Sequence, residues 1–161
     1  MTLALVTLLL LGADPLKGYE TRKLSSLGET PFGIEGTIKL PPKAKSVTSR
    51  ESAPVGDQVP ETLATIDLPD GVKLLLMERH SGIAKKTKKL EDYLTKQGPL
   101  VINSHHATGY FLAVERKDGV VMMGANWSVE PGLDCATDKP VPLATAKLVE
   151  QICLSFSPVG K

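Results

Sequence analysis

The sequence predicts an α+β fold in which a mostly antiparallel sheet of hairpins is covered by two amphipathic helices. Two pairs of apolar segments are each joined by a short turn, which is typical of antiparallel hairpins. Two further segments carry apolar residues at the spacing of a helix face. Hairpins favour an antiparallel sheet, and the apolar faces of both helices must be buried against it.

The hairpins predict four of the strands. Residues 63–68 alternate apolar and polar, Pro69-Asp70-Gly71 forms a turn, and residues 72–78 return as a second strand. Residues 110–116 and 120–129 form the other pair around Lys117-Asp118-Gly119. A weaker strand is expected at residues 32–40, where two glycines favour an edge position, and another begins at residues 100–102. Residues 43–60 are predicted to end the first strand and continue as a mobile loop.

Helical spacing predicts both helices. The first covers residues 87–97, and Gly98-Pro99 stops it. The second begins at Pro142, follows a polar loop and ends at Ser157-Pro158. Its apolar stripe contains Thr145, Leu148, Val149, Ile152 and Phe156, and the last four are expected to be buried. We expect that stripe to pack on Ile66, Leu74, Leu76, Leu112 or Val121.

The N-terminus resembles a secretory signal. Residues 3–11 are an uncharged apolar run, too short for a bilayer span of about 20 residues. Small residues follow, and Ala13 is the expected last residue before cleavage, although no Lys or Arg precedes the run. The alternative is a buried N-terminal strand. The predicted organisation is a signal peptide at 1–13, a flexible tether at 14–31 and one domain at 32–161.

Composition and cysteine content agree with an exported domain. The chain has 161 residues, 42% of them hydrophobic, which suits one globular domain. The net charge of +1 predicts no nucleic acid partner, and no transmembrane segment is expected after signal removal. The two cysteines, Cys135 and Cys153, predict a single disulfide. Two free buried thiols are the alternative, and the ligand spacing of a zinc site is missing.

His105-His106 is the candidate for chemistry. On a strand, adjacent side chains point to opposite faces, so both imidazoles would reach one metal ion only from a loop. No G-x-S-x-G motif accompanies them. We therefore expect no metal, no cofactor and no assigned catalytic residue, and the alternative is a small hydrolase with its site near this pair.

A basic cluster predicts weak anion binding. From Lys73 to Lys96 there are seven basic and three acidic residues, a local excess of +4. The members expected to contact an anion are Arg79, Lys85, Lys86, Lys88 and Lys89. Lysines at a helix start oppose the helix dipole but converge with free N–H groups, which together suit an anion. The alternative is a solvated lysine surface, and the candidate ligands are a lipid headgroup, a phosphorylated small molecule or an acidic partner.

The element order over residues 32–157 resembles the PsbP/Mog1-type α+β sandwich. That resemblance implies a small, mostly non-catalytic exported or adaptor protein. We expect a periplasmic or secreted binding or protein-interaction module. The alternatives are the small exported hydrolase and a structural subunit of an envelope assembly tethered by the segment before Phe32. An apolar flat or grooved face would favour the binding module, and a cleft of convergent polar groups would favour the enzyme.

Overall fold

A computed structural model of the chain describes residues 14–51, 61–79, 87–106, 109–127 and 132–159. Within these ranges the helices are α1 (Thr87–Thr95) and α2 (Leu143–Leu154), and 3-10 turns cover Leu24–Ser26 and Pro69–Gly71. The strands are β1 (Glu20–Lys23), β2 (Gly36–Leu40), β3 (Ser46–Glu51), β4 (Glu61–Asp67), β5 (Lys73–Arg79), β6 (Leu100–His106), β7 (Gly109–Arg116), β8 (Gly119–Trp127), β9 (Gly132–Thr137) and β10 (Ser157–Pro158).

The described strands form three antiparallel sheets, with orders β1-β2-β10, β3-β4-β5-β9 and β6-β7-β8. The mostly antiparallel strands and two helices confirm the α+β class. The strands are divided among three hydrogen-bonded sheets, whereas the sequence predicts one. β9 also lies along β8, so the second and third sheets adjoin.

Both predicted hairpins are present. β4 and β5 pair from Asp67 with Lys73 to Leu63 with Met77. In their connection Asp70 and Gly71 have φ values of 67° and 66°, the left-handed conformation that glycine and aspartate tolerate best. β7 and β8 pair around the second predicted turn. β6 begins at Leu100, as predicted, and continues to His106.

Two strands lie where the sequence predicts loops. β3 falls inside the expected mobile loop at 43–60, and β9 falls inside the polar loop before α2. β3 is the outermost described strand of its sheet, and only Val47 within it is apolar, so its sequence shows no apolar alternation. In β9, Leu133 and Cys135 are buried and alternate with less buried neighbours, the pattern of a short strand with one buried face.

The segment from 14 to 31 is packed against the domain, which contradicts the expected flexible tether. β1 pairs with β2, and Leu16, Leu24 and Leu27 are part of the main hydrophobic core. Arg22 holds the segment in place: its guanidinium donates hydrogen bonds to the Ala44 carbonyl at 2.7 Å and to two further oxygens at 3.2 Å. Three leucines among many polar residues therefore provide enough apolar surface to anchor the segment.

β2 is the central strand of its sheet, so the predicted edge position is wrong. It also begins at Gly36 rather than at Phe32. Gly36 lies directly against the ring of Phe156, and a Cβ atom there would come within 2.6 Å of the ring. The glycine therefore permits a close approach between chain segments rather than marking an edge.

The main core lies between α2 and the inward faces of the sheets. Val149 and Ile152 of α2 are 0% exposed, and this core includes the predicted neighbours Ile66, Leu74 and Leu76. Leu148 is only partly buried, and Phe156 is buried although the helix ends at Leu154.

A second, smaller core lies under α1. It contains Leu94 of α1 with Tyr110, Leu112 and Val114 of β7, and Val121 packs against it. Of the neighbours predicted for α2, Leu112 and Val121 therefore belong to this second core, whereas Ile66, Leu74 and Leu76 share the main core with α2. Successive residues of a strand point to opposite faces, so β7 contributes alternately to the two cores.

The disulfide predicted from the cysteine count is present. Cys135 and Cys153 are joined across 18 residues of sequence, with Cα atoms 6.0 Å apart, and each is 1% exposed. The bond connects strand β9 to helix α2, whereas the sequence predicts that it connects a loop to the helix. It therefore fixes the helix onto the inward face of the second sheet.

Candidate interaction surface

The sheet β3-β4-β5-β9 has one face turned away from the main core. Directly paired residues of neighbouring strands share a face. The pairing places two rows on this side, which we call the outer face: Val47, Thr65, Leu75 and Ala136 in one row, and Ser49, Leu63, Met77 and Asp134 in the other. Five of these eight side chains are apolar.

Burial distinguishes the outer face from the inward face of the same strands. The inward residues Ala64, Ile66, Leu74 and Leu76 are all 0% exposed. On the outer face, Leu63, Leu75, Met77 and Ala136 are only half-buried. Among the described residues, neither hydrophobic core includes these four.

Val47 is the most accessible point of the outer face. It is 69% exposed, the highest value among the exposed large hydrophobic side chains of the described ranges. Its strand, β3, places it beside Thr65 of β4, at the end of the first row. In that row the polar residue Thr65 lies between Val47 and the half-buried Leu75.

The two helices pack elsewhere. α1 has its main contacts with β7, and α2 has its main contacts with β2 and β8. In the part of the chain that the structure describes, no helix has its main contacts on the outer face. The sequence predicts a sheet covered by both helices. In the structure both helices pack mainly against other strands, so the apolar outer face is partly accessible.

A buried carboxylate lies on the inward side of the same sheet. Glu78 is 3% exposed and accepts a 2.6 Å hydrogen bond from the backbone N–H of Gly33. Thr62 of β4 is also buried, and its hydroxyl donates to the Pro31 carbonyl at 3.5 Å. These contacts fix the chain before β2 onto the sheet, which is a structural role for both side chains.

The histidine pair lies at the end of β6. His105 is exposed and pairs with Tyr110, while only the backbone of His106 is described. On the same strand, the Ser104 hydroxyl donates a hydrogen bond directly to the carboxylate of Glu150 in α2. A serine hydrolase needs an imidazole between the hydroxyl and the acid, and the direct contact does not have that order. The described ranges also contain no group of three or more potential metal ligands.

An open groove of about 500 Å³ runs beside α2. Asp14 and Pro15 line one side, and Ala144, Leu148 and Gln151 of the helix line the other. Leu148 is half-buried, so the groove explains why this member of the predicted stripe is less buried than its neighbours.

The predicted anion site falls largely outside the described residues. Lys85 and Lys86 lie in a range that the structure does not describe, and only the backbones of Arg79, Lys88 and Lys89 are described. α1 begins at Thr87 as predicted, with no acidic residue in its first turn. Anion binding by this cluster therefore stays a prediction.

Comparisons with known proteins do not relate this chain to another protein. The chain matches no family model, no curated protein and no solved structure. The resemblance to the PsbP/Mog1-type sandwich therefore stays a prediction. In the described part of the chain, no helix is both long and apolar enough to cross a membrane.

Proposed function

We propose that this chain is an exported, non-catalytic module that binds a partner protein through its outer face. The observation that carries the proposal is the group of four half-buried apolar residues on the outer face, with the exposed Val47 at its edge. Apolar surface gathered in one place on a folded domain is typical of an interaction site. An apolar sheet face is also the feature that favours a binding module over an enzyme.

The disulfide supports export. Intramolecular disulfides form and persist in oxidising compartments and are rare in the cytosol. Cys135 and Cys153 are both buried, so their bond stabilises the fold rather than acting as an exposed redox pair. Together with the apolar N-terminal run, this favours a periplasmic or secreted location.

Site-specific photo-crosslinking in the native host tests the proposal. Benzoylphenylalanine at Val47 would sample the outer face. The matched control is the same residue at Leu143, an apolar side chain that is 41% exposed at the start of α2. We expect a discrete adduct with another protein from position 47 and none from position 143. Equal adducts from both positions, or none from position 47, would contradict the proposal.

A further inference from the structure

We infer that the outer face receives an amphipathic helix supplied by the partner protein. This inference rests on the proposed function and specifies the shape of the partner. It follows from three features of the described residues: which side α1 occupies, how large the outer face is, and how the edges of its sheet are covered.

The outer face lies on the same side of the molecule as α1. The inward face of β3-β4-β5-β9 and one face of β6-β7-β8 both border the main core, and β9 lies along β8. The opposite face of β6-β7-β8 is covered by α1, whose Leu94 is 0% exposed. The layer that contains α1 therefore covers one sheet and, among the described elements, does not extend over the other.

The size of the outer face suits one helix better than a second copy of the chain. Four strands at about 4.8 Å spacing, and two rows that span about three residues at about 3.4 Å each, give roughly 19 by 10 Å, or about 190 Å². A standard dimer buries about 800 Å² on each partner, well above this area. A helix is about 10 Å wide, and about 12 residues span 18 Å, so a single helix of three turns fits.

The edges of this sheet argue against an extended peptide. A peptide that adds to a sheet needs a free strand edge. Next to β3, the backbone N–H of Thr30 donates to the Thr48 hydroxyl at 2.8 Å, and a Cβ atom on Gly28 would come within 2.6 Å of the Thr48 nitrogen. The chain's own residues 28–30 therefore cover this part of the β3 edge, and β9 is flanked by β8. A partner would therefore contact the side chains of the outer face rather than a free strand edge.

The two rows match the side chains of a helix. Apolar residues at positions i, i+3, i+4 and i+7 form one stripe on a helix. Leu75 lies between Thr65 and Ala136, and Met77 lies between Leu63 and Asp134, so both are at the middle of the outer face. A helix stripe laid over this pair would bury both rows, while its polar side would face water.

The test measures binding of a designed 14-residue peptide to the purified protein by fluorescence anisotropy. The peptide carries four leucines at helical stripe spacing among glutamates and lysines. A scrambled peptide of the same composition, with leucines on all sides, is the first control. A peptide with leucines at alternate positions, which favours an extended strand, is the second. We expect the striped peptide to bind at least tenfold more tightly than either control.

Protein variants locate the contact. Leu75→Gln/Met77→Gln is expected to weaken binding of the striped peptide at least tenfold, and Leu143→Gln is the matched control that leaves it unchanged. Val47→Gln, at a position that is 69% exposed, is expected to weaken binding several-fold and keeps the test valid if the double variant fails to fold. Equal binding by the scrambled peptide, preference for the alternating peptide, or no effect of Val47→Gln would overturn the inference.

Two outcomes separate this inference from the function on which it rests. An adduct from position 47 without binding of the striped peptide would keep the interaction module and overturn the helical partner. Concentration-dependent dimerisation abolished by Val47→Gln would assign the outer face to a second copy and also overturn the helical partner. Loss of both the adduct and peptide binding would overturn both proposals.

Discussion

Removing the disulfide is expected to weaken the fold by about 3 kcal/mol. The bond closes a loop of 18 residues between Cys135 and Cys153. In the chain-entropy relation, a loop of this length restricts the unfolded chain by about 3 kcal/mol at 25 °C. Since the bond joins β9 to α2 and the sulfurs lie in the main core, both the unfolded chain and the packing of α2 depend on it.

The assay is equilibrium unfolding in urea, with and without a reducing agent, followed by far-UV circular dichroism. For a slope of about 2 kcal/mol per molar urea, a loss of about 3 kcal/mol moves the midpoint down by roughly 1.5 M. The variant Cys135→Ala/Cys153→Ala is the matched control, because its midpoint should not respond to the reducing agent.

Two results would refute the reasoning. A midpoint that shifts by less than about 0.3 M on full reduction would mean that the loop contributes little constraint to the unfolded chain. An equal response of the double alanine variant would mean that the reducing agent acts elsewhere. Because both cysteines are 1% exposed, we also expect the bond to be reduced much faster in urea than in the native protein.

Three substitutions and one mass measurement test the fold and its processing. Ile152→Ala should lower the free energy of unfolding by about 2–5 kcal/mol, measured in urea, because Ile152 is 0% exposed in the main core; a cost within error would make α2 peripheral. Arg22→Met should lower the free energy of unfolding by about 2 kcal/mol in the same assay, because it removes the donors for the Ala44 carbonyl and two other oxygens. Unchanged stability would contradict a role for Arg22 in anchoring residues 14–31. Gly36→Ala should lower the melting temperature, because its Cβ atom would collide with the Phe156 ring, and an unchanged value would mean that the ring moves freely. Mass spectrometry of protein from the native host should find an N-terminus following Ala13, and an intact chain start would contradict the predicted signal peptide.

The sequence predicts best the elements whose local pattern agrees with their final surroundings. The β4–β5 hairpin combines an alternating strand with a turn that uses Asp70 and Gly71 at positive φ. The start of α1 and the position of α2 follow from apolar residues at helical spacing. In these elements the local preference, the buried face and the turn chemistry favour the same conformation.

The sequence does not predict the elements that are held mainly by contacts between residues distant in sequence. β3 has a single apolar residue and depends on pairing with β4, which the local sequence does not show. The segment 14–31 is anchored by three separate leucines and by hydrogen bonds that Arg22 makes across more than 20 residues. Such contacts exist only after the chain has folded, so composition alone indicates a loop or a tether.

The candidate surface could be predicted only in part. β5 contains the run Leu74-Leu75-Leu76-Met77, which is apolar on both faces. A run of this kind indicates a strand covered on both sides. The sequence shows that Leu75 and Met77 need cover, but not whether the chain supplies it. The register of β3, β4, β5 and β9 shows which side chains join them on one face.

The disulfide lies on the inward side of the sheet, but it also affects how the outer face binds a partner. Strands that present apolar side chains to a partner bind it best when they are already ordered in its absence. The bond from Cys135 to Cys153 connects β9, the strand at one side of the outer face, to α2 on the opposite side of the sheet. Rigidity of the free surface lowers the entropy lost on binding, so stabilising the inward side also favours recognition on the outer side. On this reasoning, the oxidised protein should bind a partner more tightly than the reduced protein even under conditions in which both are folded.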